Sequence, residues 1–231
     1  MLPAQASVLQ DFNDRATFVG AANSLVNIDF EGTATTPYVN GAHTTYWSNY
    51  STSGGLNIDG ISFVGVMNVG NWLYATNASD PNASENYGTG TVLKGPEWNT
   101  GSYVSITLPA NVTAFGFDIG AMLPSTATFR IELTSLGVSY DVTTAPRPTL
   151  TYWGVTTDSA IGEIRVTTIG GSPTQTQLLI DNAVYGLAGG GVGGLEQGPT
   201  GETPEVTTIL YVASGLGLLY WNKRRRIQPV V

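Results

Sequence analysis

The chain has 231 residues, 42% hydrophobic and 11% charged, with no cysteine and one histidine. That composition excludes disulfide stapling, thiolate metal sites and a histidine-based zinc centre. All seventeen acids lie in residues 1–205, against Arg15, Lys94, Arg130, Arg147 and Arg165, so this portion carries a net charge of −12; it is a poor partner for nucleic acid, and divalent cations or neutral sugars suit it better.

At the start, Met1 to Ser7 has no basic region and no apolar stretch, yet Ala4-Gln5-Ala6 has the small-x-small form of a cleavage site, so an export signal is expected upstream. Residues 11–22 place Phe12, Ala16 and Val19 on one face of a short helix, with Asp11 as its N-cap. Residues 1–24 form this N-terminal segment. Strand signals then take over. Residues 25–31 alternate, with Val26, Ile28 and Phe30 on one face and Asn27, Asp29 and Glu31 on the other. Further strands are expected at 56–66, 103–108, 113–119, 128–133, 138–142, 152–156, 161–168 and 178–185, about nine in all. Short alternating strands in series, without crossover helices, imply that residues 25–187 are an antiparallel two-sheet sandwich of jelly-roll type.

Residues 67–100 read as a long Asn- and Gly-rich loop, or as loops with short irregular strands, carrying Trp72, Tyr74, Tyr87 and Trp98. Residues 188–205 combine a Gly-rich tether with Pro204-Glu205. Residues 206–221 are uncharged, and as a helix they rise about 24 Å, which Asn222 and a snorkelling Lys223 extend towards the roughly 30 Å of a bilayer core. A transmembrane helix over 206–222 is therefore expected. Arg224, Arg225 and Arg226, within the basic tail 223–231, place the C-terminus in the cytoplasm and the preceding domain outside.

This order of Pro-Glu box, apolar helix and basic end resembles the PEP-CTERM sorting signal of bacterial surface and exopolysaccharide-associated proteins. Val206 stands where that family's box has its second proline. The resemblance implies recognition by an exosortase-type transpeptidase, cleavage near Pro204 and Glu205, and transient or lasting attachment to the inner membrane. The outer portion also looks like other proteins bearing this signal, through Asp29-Phe30-Glu31-Gly32, Phe115-Gly116-Phe117-Asp118 and Ile180-Asp181-Asn182. It implies a jelly-roll-like domain and no known chemistry.

Three functions compete. The leading expectation is a non-catalytic protein of the cell surface or its exopolysaccharide. The alternative is a glycan-binding module, in which Trp47, Trp72, Tyr74 and Trp98 stack on sugar faces amid Asn-rich surroundings; the bland account of these rings is that they plug the ends of the core. A third is a glycoside hydrolase using Asp29 and Glu31 at i, i+2. His43, the single histidine, has no Gly-x-Ser-x-Gly elbow to serve and reads as a surface loop residue. Pairing of the first and last strands would bring Asp29 or Glu31 close to Asp181 and Asn182. Such like-charged neighbours are expected to hold a structural Ca²⁺, set against plain solvated strand-face acids.

Overall fold

The structure, a computed structural model, describes residues 8–40, 43–51, 54–67, 71–78, 87, 90–97, 101–122, 126–170 and 177–189. These belong to the first of two units, Met1–Gly191. The expected transmembrane helix, the Pro-Glu box and the basic tail lie outside the described residues. Among those described, no helix is long and apolar enough to cross a membrane.

In chain order the elements are β1 (Val8–Phe12), α1 (Arg15–Ala21), β2 (Ala22–Ile28), β3 (Thr36–Asn40), β4 (His43–Asn49), β5 (Leu56–Ile58), β6 (Ile61–Val66) and β7 (Tyr74–Ala78). Then follow β8 (Val92–Glu97), β9 (Tyr103–Thr107), β10 (Ala114–Ala121), β11 (Thr128–Leu133), β12 (Val138–Thr143), β13 (Thr151–Thr157), β14 (Glu163–Gly170) and β15 (Gln177–Ala188). They build two antiparallel sheets. The larger has nine strands in the order β1-β13-β10-β15-β8-β7-β4-β3, with β2 also paired to β15; the smaller has six, β12-β11-β14-β9-β6-β5. The expected two-sheet β-sandwich is thus the architecture found.

Alternation produced the interface between the sheets. Phe117 and Ile119 of β10, Phe129 and Ile131 of β11, Ile106 of β9 and Ile164 of β14 are all fully buried in one core, with Phe30, Phe63 and Trp153 packed among them. Phe117 and Trp153 meet edge to face at 5.7 Å between ring centroids.

Several local expectations are corrected. The helix begins at Arg15, capped by Asp14, whose carboxylate accepts from Thr17 N at 2.7 Å and Thr17 Oγ1 at 2.6 Å. Those bonds hold the Asp14 carboxyl below its ordinary pKa. Asp11 instead lies in β1, which pairs with β13, so the sheet starts before residue 25. Residues 56–66 are a hairpin, because Asp59 and Gly60 both take positive φ (47° and 82°) in a two-residue turn. Of the two readings of residues 67–100, the one with short strands is found, as β7 and β8, and His43 opens β4 instead of sitting in a loop. In β2 only Ile28 is buried, while Val26 is exposed, and Ser24 takes φ 52°.

Candidate functional site

The last strand organises the first candidate site. One edge of β15 is shared by two partners: β8 pairs along it up to Ile180, and β2 takes over from Ala183. Asp181 and Asn182 fall between the ends of those partners. Here β15 also carries one extra residue relative to β10, for Gly116 faces Val184 and Asp118 faces Asp181. The bulge puts Asn182 at φ 46°, a conformation that asparagine tolerates better than most side chains.

Arg15 closes this notch from above. As the first residue of α1 it reaches down to the sheet, where its Nη2 lies 3.2 Å from Asp118 Oδ2 and donates to the Asn182 carbonyl. Asn182 Nδ2 donates to the same carboxylate oxygen at 3.0 Å. The guanidinium also lies over the Tyr152 ring, 4.8 Å from its centroid. Arg15, Asn27, Asp29, Asp118 and Asn182, with Ile28 and Ala183, line an open cleft of about 430 Å³.

Three of the motifs read from sequence therefore converge. The first and last sheet-region strands do pair, and Asp29 and Asn182 share the cleft. Asp181 is fully buried, and its Oδ1 accepts from Asn182 N at 2.7 Å. Glu31 has turned elsewhere: its carboxylate accepts from Thr91 N at 2.7 Å and Thr91 Oγ1 at 3.3 Å, at the entry to β8. A side chain at Gly90 would strike it, with Cβ 1.9 Å from Glu31 Oε1. Facing Asp118, the positive charge is that of Arg15. Among the described residues, no group of three His, Cys, Asp or Glu is placed to hold a metal ion.

A second candidate lies on the outer face of β7. Leu73 and Ala75 point into the core, so Trp72 and Tyr74 emerge together on the opposite side, both half-buried. Their ring centroids are 4.4 Å apart at 56°. Trp72 is fixed from behind, its backbone N–H donating to Gly65 O at 2.8 Å; a Cβ at Gly65 would fall 1.8 Å from the Trp72 carbonyl oxygen, so only glycine admits this approach. Lys94, cross-strand partner of Tyr74, holds its Nζ 5.6 Å from the Trp72 centroid. Asn49, the partner of Tyr74 on the other side, donates from Nδ2 to the Tyr74 hydroxyl at 3.1 Å. Trp47 stands in β4 opposite Thr36 and Thr76; Trp98 lies outside the described residues, as do Pro204, Glu205 and Arg224 to Arg226.

Sequence inspection missed Arg15, Asp118, Lys94 and Asn49. Asp118 was the most accessible of these, as the one charged residue in the buried-reading segment 114–121. Lys94 carries a compositional signal too, being the only lysine before residue 223.

No protein-family profile matches the chain, and no curated protein matches it. Among solved structures, it is similar to a family 29 carbohydrate-binding module, CBM29-2, in a single-site variant: 15% identity and TM-score 0.33, over 64% of this chain and 93% of that one. It is also similar to the K1 cleaved adhesin domain of Lys-gingipain from Porphyromonas gingivalis W83, at 11% identity and TM-score 0.38, over 63% and 99% of the two chains. A second CBM29-2 variant, complexed with cellulohexaose, gives 14% identity and TM-score 0.32 over 61% and 90%. At these scores no ligand, residue role or partner is carried over to this chain.

Proposed function

We propose that this protein is a non-catalytic, glycan-binding β-sandwich of the bacterial cell surface, targeted there by its C-terminal tail. The observation that carries the binding role is the Trp72–Tyr74 pair, two adjacent rings half-exposed on a sheet face. An aromatic surface of this kind removes the apolar face of a sugar from water, and the Asn49 amide at the Tyr74 hydroxyl and the Lys94 ammonium over the Trp72 ring serve the sugar oxygens. Glu31 and Asp29, the i, i+2 pair that a hydrolase would need converging on one bond, have different neighbours: Glu31 is held at Thr91, and Asp29 lines the cleft. The tail remains the basis for location, through its uncharged stretch at 206–221 and the four cations that follow.

Affinity electrophoresis of the full chain through gels containing soluble polysaccharides tests the binding role. Trp72→Ala is expected to weaken retardation by about tenfold or more, equivalent to about 1.4 kcal/mol, while a melting curve confirms that the fold persists. Equal retardation of wild type and variant on every polysaccharide bound would overturn it.

A further inference from the structure

The two candidate sites lie on the same face of the nine-stranded sheet, and the strand register gives their spacing. Tyr74 pairs with Lys94, Lys94 with Leu179, and Leu179 with Gly120, so these four form one row across the sheet. Asp118 is two residues along β10 from Gly120 and therefore on that row's face, while Phe117 and Ile119 turn to the core. From Lys94 to Asp118 is two strand spacings across and one two-residue step along, a separation of about 12 Å at about 4.8 Å per strand and 3.4 Å per residue.

The chemistry of the cleft complements the platform. Asn182 must present its amino group to Asp118, because a carboxylate only accepts; its amide oxygen is then turned away from that carboxylate. One Asp29 oxygen takes Glu31 N at 3.1 Å, and the exposed Asn27 side chain bonds no described residue. Arg15 spends its Nη2 on Asp118 and the Asn182 carbonyl. What the cleft offers is mainly carboxylate and amide oxygen. Asp29 and Asp118 against Arg15 leave one net negative charge, which repels an anionic ligand.

We infer that the Arg15–Asp118–Asn182 cleft is a second subsite that reads the hydroxyls of a neutral sugar unit, so that the ligand is an uncharged oligosaccharide reaching from Trp72 and Tyr74 over the Tyr87–Leu179 cluster that covers the row between them. This rests on the glycan reading of that aromatic pair. A single terminal sugar cannot touch both places at such a spacing, whereas a chain of several units can.

Calorimetric titration of the full chain with cello-, manno- and galacto-oligosaccharides of two to six units, with oligogalacturonides as the anionic series, provides the test. Affinity for one neutral series is expected to rise about tenfold or more with length and to exceed that for oligogalacturonides. Asn27→Ala and Asn182→Gly should remove the gain with length yet leave the shortest binder unchanged. Glycine accepts the positive φ at 182, and Asn27→Ala breaks no hydrogen bond of the fold, so it carries the test if the other variant fails to fold. Trp72→Ala should lower affinity at every length. A length gain that survives both cleft variants overturns the second subsite and leaves the aromatic site standing; Trp72→Ala without effect overturns both. Cleft effects that vanish in chelator would assign the cleft to a cation and overturn direct hydroxyl recognition.

Discussion

The two sheets share one core but treat their other faces differently. In the six-stranded sheet β11, and β14 from Glu163 to Thr168, alternate between buried and half-exposed residues. Their outer positions carry Arg130 bonded to Asp141 at 2.8 Å, and Glu163 held by Arg165 at 3.0 Å and Ser105 at 2.8 Å. In the nine-stranded sheet β10 is buried almost throughout. Its outer positions are Ala114, Gly116, Asp118 and Gly120, because Tyr152 lies over Gly116 and Tyr87 over Gly120. Tyr152 packs with Phe12 and Phe18, and Tyr87 with Val92 and Leu179, forming two small clusters on the far side of this sheet. A sheet with one wet face writes an alternating sequence; a sheet covered on both faces writes aromatic and small residues in turn.

The inner faces set the scale of this comparison. Phe117→Ala in one sheet and Phe129→Ala in the other should each cost about 3–5 kcal/mol, a fall of roughly 6–20 °C in Tm. A much smaller loss in either sheet would break the equivalence of their inner sides.

Outer faces should differ by less but in a clear direction. A Cβ at Gly116 would lie 2.1 Å from the Tyr152 hydroxyl and 3.1 Å from the Trp153 carbonyl oxygen, so Gly116→Val should destabilise by about 1–3 kcal/mol. Thr167→Val, on the solvated side of β14, should stay within about 0.5 kcal/mol. Denaturant unfolding of the two variants side by side measures the difference, and equal effects would show that the far side of β10 is not packed.

The larger alkaline effect belongs to the nine-stranded sheet, since burial raises Tyr140 of the six-stranded sheet by less. Burial pushes the Tyr87 hydroxyl up to about 12, and it raises Tyr152 well above the ordinary tyrosine value. Their folded pKa values exceed the unfolded one, so the stabilisation is full below about pH 10 and is lost as pH rises through the folded values. The Tyr152 hydroxyl makes no hydrogen bond among the described residues. Tyr152→Phe should therefore leave Tm at pH 7 unchanged or slightly raised and flatten its decline above pH 10. An unaltered alkaline limb would relieve Tyr152 of this role.

Acid sensitivity, the smallest effect, should come mainly from the six-stranded sheet, with the Asp14 helix cap adding to it. The hydrogen bonds from Arg165 to Glu163, and from Arg130 to Asp141, hold both carboxyls below their ordinary pKa. Depressed carboxyls contribute stability above their unfolded values near pH 4, lost as pH falls through the folded ones. Glu163→Gln should flatten the acid limb of Tm against pH at low salt, and moderate salt should do the same in wild type. A variant whose limb keeps the wild-type slope would place the acid-sensitive groups elsewhere.

Period-2 alternation is local, so segments 103–108, 128–133 and 138–142 could be found as strands without knowing their neighbours. Thr, Tyr, Val and Trp enrich β3 and β4, but the polar residues among them hide the alternation. The Asp59-Gly60 turn is legible in the sequence as a two-residue hairpin signal. For the sites, Trp72 and Tyr74 were readable as aromatics two residues apart, but their exposure depended on Leu73 finding the core. Asp29 and Asn182 sit in motifs at the two ends of the strand series, so pairing of β2 with β15 carries both to one cleft.

By itself, the sequence determined a β-sandwich of alternating strands, an acidic domain without thiol or histidine chemistry, and an uncharged stretch backed by four cations. Each is a property of composition or of neighbours in the chain. Tertiary structure alone decided that Arg15, Asp118 and Asn182 meet, that Glu31 turns to Thr91, and that Lys94 lies over Trp72. Those contacts join residues up to 167 positions apart and depend on strand order, on the gap between β8 and β2, and on one extra residue in β15. No periodicity encodes these three, because a strand's pattern tells which face it buries and not which strand lies beside it.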